Sequence, residues 1–173
     1  MFMTFLDKTM TYSCGFFENE NDSLYQSQIN KIDKIIEKAD MKSEHHILEI
    51  GSGWGALARR AVEKTGCKVT TITLSNRQYD YVNRMIQEEN LTNNIDIQLI
   101  DFRNIKGVYD RIVSVEMIEA IGYDLFNSYF KKIEELMKPE GTAVIQAITY
   151  PDEGYESYRK GCDFIQKLSL IHI

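Results

Sequence analysis

The apolar positions of this chain change period several times, and each change marks an element. From Leu24 onward Tyr25, Ile29, Ile32, Ile36 and Ala39 recur at the spacing of one helical face. Beyond them, short apolar runs exchange with further helical patterns. Strands are predicted over residues 46–50, 68–73, 95–99, 111–116 and 142–148. Helices are predicted over 54–64, 76–89 and 125–137, the last stopping before Pro139, with at most one more over 155–167. The aromatic residues between 123 and 130 fit the core-facing side of their helix. Repeated β-α units with short links predict an α/β sandwich, a parallel sheet with helices on both faces. Residues 1–23 lack periodicity, and Thr11-Tyr12-Ser13-Cys14-Gly15-Phe16-Phe17 reads as a loop packed by its own aromatics.

The strand-helix order gives special weight to Ile47-Leu48-Glu49-Ile50-Gly51-Ser52-Gly53-Trp54-Gly55, where an apolar strand carrying an acid ends in three glycines and a helix follows at once. Glycine can take positive φ and let the backbone approach a ligand, while the next helix points free N–H groups at it. A dinucleotide fingerprint reads G-x-G-x-x-G. Here the third glycine comes one residue early and Glu49 stands two before the first, the E-x-G-x-G-x-G form of S-adenosylmethionine (SAM) methyltransferases.

In open α/β sheets ligands sit beyond the carboxyl ends of the strands. Three such ends carry polar residues: Glu49 to Gly55, then Thr73-Leu74-Ser75 with Gln78, then Asp101-Phe102-Arg103. They supply, in turn, backbone room for methionine, partners for ribose, and a polar group with an apolar face for adenine. The second cluster lacks the acid usual at that position, and Ser75 reads equally well as the N-cap of the next helix. Asp101 reads either as an adenine partner or as a loop cap.

Composition narrows the classes. The chain has 173 residues, 43% of them hydrophobic, enough for one domain with a core. Twenty basic against 26 acidic residues leave a net charge of −6, which argues against nonspecific nucleic-acid binding. Cys14, Cys67 and Cys162 are odd in number and widely spaced, suggesting neither a disulfide framework nor a zinc site; His45 and His46 have no ligand partner at metal spacing. No apolar run reaches the roughly 18 residues of a membrane span, so the cytoplasm is the default location.

Four segments in order carry a resemblance: Tyr12-Ser13-Cys14-Gly15-Phe16-Phe17, the glycine motif, Thr73-Leu74-Ser75-Asn76-Arg77-Gln78, and Tyr109 through Gly122. Over about residues 8–167 the chain resembles the cyclopropane-fatty-acyl-phospholipid synthases and their mycolic-acid-modifying relatives. The resemblance implies a Rossmann-like SAM methyltransferase sandwich. Its cofactor partners would be Tyr12, Ser13, Glu49, Gly51, Gly53, Thr73, Leu74, Gln78, Asp101 and Phe102, with no metal. It implies transfer of a methylene carbon from SAM to the double bond of an unsaturated phospholipid acyl chain, with contact at the membrane periphery. An alkene is a weak nucleophile, so it must be held in line with the activated methyl in a water-poor pocket. Methyl transfer leaves a carbocation, and a base must then take a proton from the new methyl. In the family that base is a bound bicarbonate, and the resemblance implies that its cradle here would be Cys14, Glu119, Gln146 and the backbone at Ile148. Two positions depart from the family pattern. Gln146 stands where a titratable His is usual, and Ala120 stands where a His usually follows the acid.

Rival readings are a small-molecule N- or C-methyltransferase of the same fold and a noncatalytic SAM-binding remnant. Residues 1–23 are expected to form an aromatic loop of the active site, 24–167 the methyltransferase core, and 168–173 an atypical tail. Such sheets generally have seven strands, and five are countable before Ile148. The chain is therefore expected to be incomplete, weak in turnover and prone to associate along an exposed fifth strand.

Overall fold

The computed structural model describes residues 4–149 and 151–161. Readings that fall on Cys162, on Asp163-Phe164-Ile165, on 162–167 of the last predicted helix and on the 168–173 tail lie outside the described residues. The elements are α1 (Leu24–Lys38), β1 (His46–Ile50), α2 (Ala56–Thr65), β2 (Lys68–Thr73), α3 (Asn76–Glu88), β3 (Ile95–Leu99), β4 (Tyr109–Val115), α4 (Ile118–Ile121), α5 (Phe126–Leu136), β5 (Met137–Gln146) and α6 (Tyr155–Lys160).

All five strands are parallel, in the order β3-β2-β1-β4-β5. The chain winds outward in one direction from β1 through β2 to β3, then crosses to β4 and β5 on the other side. The carboxyl end of β1 is thus the switch point, where this class of sheet opens a crevice. Successive β1 residues serve opposite faces. Ile47 joins Ile32, Ile36, Ala58 and Val82 of α1, α2 and α3, whereas Leu48 and Ile50 join Tyr129, Ile133 and Leu136 of α5. Burial on both faces explains the nearly continuous apolar strands, each large side chain contributing about 1.5–3 kcal/mol.

Helix starts follow their capping chemistry. Ser23 accepts from Gln26 N ahead of α1, and Ser75 accepts from Gln78 N ahead of α3. The fifth strand differs from its prediction at both ends. α5 stops at Leu136 and Met137 is already extended, so β5 runs through Pro139 with a register break opposite Tyr109 and Arg111. A proline without an N–H is tolerated there because β5 lies at the sheet edge. The strand ends at Gln146, leaving Ile148 beyond it. Between β4 and α5 the chain adds α4 and a 3₁₀ turn at Tyr123–Leu125. The aromatics near this turn divide. Tyr129 is fully buried, while Tyr123 and Phe130 are exposed. The N-terminal loop also departs from expectation, since the rings of Phe5, Tyr12, Phe16 and Phe17 are largely exposed.

Candidate active site

The turn after β1 is built by backbone geometry. Gly51 (φ 99°), Gly53 (φ 50°) and Gly55 (φ 86°) all take the left-handed region, which side chains other than glycine rarely adopt. Gly51 N and Ser52 N both donate to Ile72 O, at 3.1 and 2.8 Å, and Gly55 N donates to Ser52 O at 2.9 Å. The turn is therefore anchored on β2 and folded back over the end of β1. Among the described residues no side chain caps α2, which leaves its first N–H groups available. Among the described residues, a Cβ placed on Gly53 would meet only the Tyr12 ring, at 4.0 Å. The result is a cradle between the glycine turn and Tyr12.

Tyr12 is held there from the second strand end. Its hydroxyl accepts from Gln78 Nε2 at 3.1 Å, and Thr73 Oγ1 donates to Gln78 Oε1 at 2.8 Å. The Ser75 hydroxyl accepts from Gln78 N at 3.3 Å, so it serves as the helix cap. Leu74 is exposed at the same edge.

The remaining predicted cofactor residues are less free. Asp101 receives Arg103 Nε at 2.8 Å and Nη2 at 2.7 Å, and this pairing holds its carboxyl below the usual range. The Phe102 ring is buried against Tyr129, centroids 5.5 Å apart, so it belongs to the core. Glu49 is also buried, accepting a 2.5 Å hydrogen bond from Thr71 Oγ1 on β2. Burial raises its carboxyl to about 8 against the opposing effect of that bond. Glu49 is therefore a neutral acid over most of the physiological range.

The second group gathers beside β4 and β5. Cys14 N donates to Glu116 Oε1 at 2.9 Å, and Gln146 Nε2 donates to the same oxygen at 2.8 Å and to Cys14 O at 3.4 Å. Ile148 N donates to Glu119 Oε1, while Glu119 Oε2 is buried with no hydrogen bond among the described residues. Residues more than 100 positions apart thus meet at one strand edge. Their donors, however, are spent on each other. Cys14 N and the Gln146 amide serve Glu116, and Ile148 N serves Glu119. The leftover group is an acceptor, so the cradle drawn for bicarbonate does not fit an added anion as it stands.

Two residues central to this geometry were absent from the predicted set. Glu116, at the end of β4, has φ 48° and donates its N–H to Gln146 O at 2.8 Å. Holding a non-glycine residue there costs about 1–3 kcal/mol, a common expense at functional sites. The available signal was the pair of acids, Glu116 and Glu119, at the end of an apolar strand. Lys31 of α1, only 5% exposed, donates to Ser13 Oγ at 2.6 Å. Its signal was a polar run, Ser27, Gln28 and Lys31, on the flank of the isoleucine stripe.

The profile of a family described as mycolic acid cyclopropane synthetase matches residues 1–169. The chain belongs to that family. This synthetase-family chain is 38% identical to a tuberculostearic acid methyltransferase of Mycobacterium tuberculosis, over 96% of its own length and 40% of the relative's. It is 32% identical to cyclopropane mycolic acid synthase 1 of the same species, over 90% and 55% of the two lengths. Among solved structures, the cyclopropane synthase MmaA2 of Mycobacterium tuberculosis superposes with a TM-score of 0.85 at 30% identity, over 94% of this chain and 57% of that one. Mycolic acid cyclopropane synthase CmaA1, complexed with SAH and CTAB, gives 0.85 at 31% identity, over 92% and 56%. The synthetase-family chain spans about half the length of the curated relatives it matches. Its five-stranded parallel sheet is the Rossmann-like methyltransferase sandwich of those neighbours.

Proposed function

We propose that this chain binds SAM in the cradle between the glycine turn and Tyr12, and that it takes part in transferring a one-carbon unit to the double bond of an unsaturated phospholipid acyl chain. The observation that carries the reading is the convergence of two groups on one sheet edge: the left-handed Gly51-Ser52-Gly53 turn and the Cys14, Glu116, Glu119, Gln146 cluster. SAM supplies an electrophilic methyl when bound. The chain's own part is to orient and to exclude water. Gly51, Gly53 and the start of α2 offer backbone room and N–H groups, and Gln78 with Thr73 holds Tyr12 across the opening.

Apolar side chains exposed at this edge, Leu74, Tyr123 and Ile148, suit an acyl chain better than a polar acceptor. Closing a ring requires loss of a proton. We assign its acceptance to Glu119, whose Oε1 is fixed by Ile148 N and whose Oε2 is buried and unengaged among the described residues. Gln146 cannot titrate, and its amide is occupied by Glu116.

Calorimetry with SAM and mass spectrometry of lipids from cells expressing a full-length protein that carries this chain test this reading. A lipid mass gain of one CH₂ with loss of the double bond is expected. Glu119→Gln should bind SAM within about twofold of wild type while product falls on the order of 100-fold, as for loss of acid–base support. No SAM binding, or equal product from Glu119→Gln, would overturn the proposal. A methylated amine without lipid change would favour the small-molecule N-methyltransferase reading.

A further inference from the structure

The dipeptide Ser13-Cys14 is gripped from three elements. Ser13 Oγ accepts from Lys31 Nζ at 2.6 Å, and Ser13 O accepts from Gln28 Nε2 at 2.9 Å, both from α1. Cys14 N donates to Glu116 Oε1 at 2.9 Å, and Cys14 O accepts from Gln146 Nε2 at 3.4 Å. Just beyond, Phe16 N donates to Ser27 O at 3.0 Å. A Cβ on Gly15 would lie 2.4 Å from Ser27 Oγ, so the segment runs flush against α1.

Ser27, Gln28 and Lys31 occupy one face of α1 and are all buried. Aliphatic side chains would pack such a face at less cost, because desolvating an ammonium group is expensive unless it is paired. Here the Lys31 ammonium and the Gln28 amide nitrogen are both spent on one short segment, while Ser27 Oγ donates to Leu24 O within the helix. That segment carries Tyr12, whose ring faces Gly53 and whose hydroxyl is bound by Gln78.

We infer that Lys31 is a positioning residue: with Glu116 as its opposite pole, it fixes Ser13-Cys14 and thereby holds Tyr12 over the glycine turn. This rests on the reading of that turn as the SAM cradle. The charged and titratable groups that face Lys31 are Glu116 at the end of β4, and Cys14 and Asp7 from the N-terminal segment. All three favour its charged form, but burial outweighs them and brings the ammonium down to about 8. Just above neutrality Lys31 therefore loses its charge. Its bond to Ser13 weakens from a charge-assisted one, roughly twice as strong, to an ordinary one, and Glu116 loses its counterpart.

The test is calorimetric SAM titration of wild type, Lys31→Arg and Lys31→Met from about pH 6.5 to 9.5, with hydrogen exchange of peptides covering residues 10–17. The ratio of wild-type to Lys31→Arg affinity cancels the titration of SAM's own amino group. That ratio is expected to fall severalfold, up to about tenfold, with a midpoint near pH 8. Lys31→Met should bind about tenfold more weakly at pH 7, run parallel to Lys31→Arg across the range, and lose exchange protection over residues 10–17. Ser13→Ala removes the acceptor without touching α1 and should reproduce the loss of protection and affinity. Parallel profiles for wild type and Lys31→Arg, or unchanged affinity in Lys31→Met and Ser13→Ala, would overturn the assignment. If wild type fails to bind SAM, the cofactor reading falls. Exchange then decides the clamp alone, and unchanged protection in both variants would overturn it.

Discussion

At Gly53 the constraint comes from backbone sign more than from space. Its φ of 50° is costly for any residue with a Cβ, yet among the described residues a Cβ there would meet nothing closer than the Tyr12 ring at 4.0 Å. Gly53→Val should therefore fold, with strain on the order of 1–3 kcal/mol concentrated in the turn. The affected groups are the N–H donors that we propose face SAM. SAM affinity is expected to drop about tenfold to 100-fold while most of the thermal stability remains. Calorimetric titration beside a thermal melt checks this, and an unchanged dissociation constant in the folded variant would remove the turn from the site. Gly51 is held by sterics as well, because its Cβ would lie 3.4 Å from Met117 Cγ.

Among the elements, α3 carries a question that the sequence left open. Ser75 sits where a ribose partner is usual, but its hydroxyl accepts from Gln78 N at the head of the helix. Ser75→Ala is expected to lower stability by about 1 kcal/mol through loss of the cap, and SAM affinity by no more than about twofold. Urea unfolding and titration of the same sample separate the roles; a large affinity loss without a stability loss would make Ser75 a ligand contact. The elements were legible where periodicity was strong. β1, β2 and β3 begin and end where their apolar runs do. β5 was placed too late because Pro139 read as the stop of α5, while an edge strand tolerates a missing N–H and absorbs the irregularity as a register shift. The glycine turn was legible because left-handed backbone needs a particular residue type. Glu116 was legible only as one of two acids, with Glu119, at the end of an apolar strand, and Lys31 was not legible, because an ammonium in sequence looks solvated until the packing around it is known. For Phe102 and Asp101 the position after β3 was legible but the packing was not: the ring turns into the core and the carboxylate pairs with Arg103.

For the whole molecule, the buried ionisable groups set a stability profile that the net charge of −6 does not foretell. Glu49 is raised from 4.5 to about 8 by burial, so the folded state keeps a proton that the unfolded chain releases. Its contribution is fully present below about pH 4.5 and is lost as pH rises through 8. Lys31 has the opposite sense. Its value falls from 10.5 to about 8, so its contribution is complete only above 10.5 and is lost as pH falls through 8. His46, lowered from 6.5 mainly by burial, likewise favours the folded state at higher pH, but its window lies at and below 6.5. Cys67, raised by burial, counts against the alkaline side. From pH 6.5 to 8 the Glu49 effect therefore dominates, and wild-type stability should decline across that interval. Glu49→Gln isolates the cause, because its side-chain carbonyl still accepts from Thr71 Oγ1 but cannot ionise. Urea unfolding at about pH 5.5, 7 and 8.5 should show the variant gaining on wild type as pH rises. The total gain is expected to reach a few kcal/mol, since each tenfold difference in proton affinity between the folded and unfolded chain is worth about 1.4 kcal/mol. Parallel stability profiles for the two proteins would mean that Glu49 is already ionised in the folded state. The acid ahead of the glycine turn would then be a charged partner for the ligand, not a neutral strut between β1 and β2.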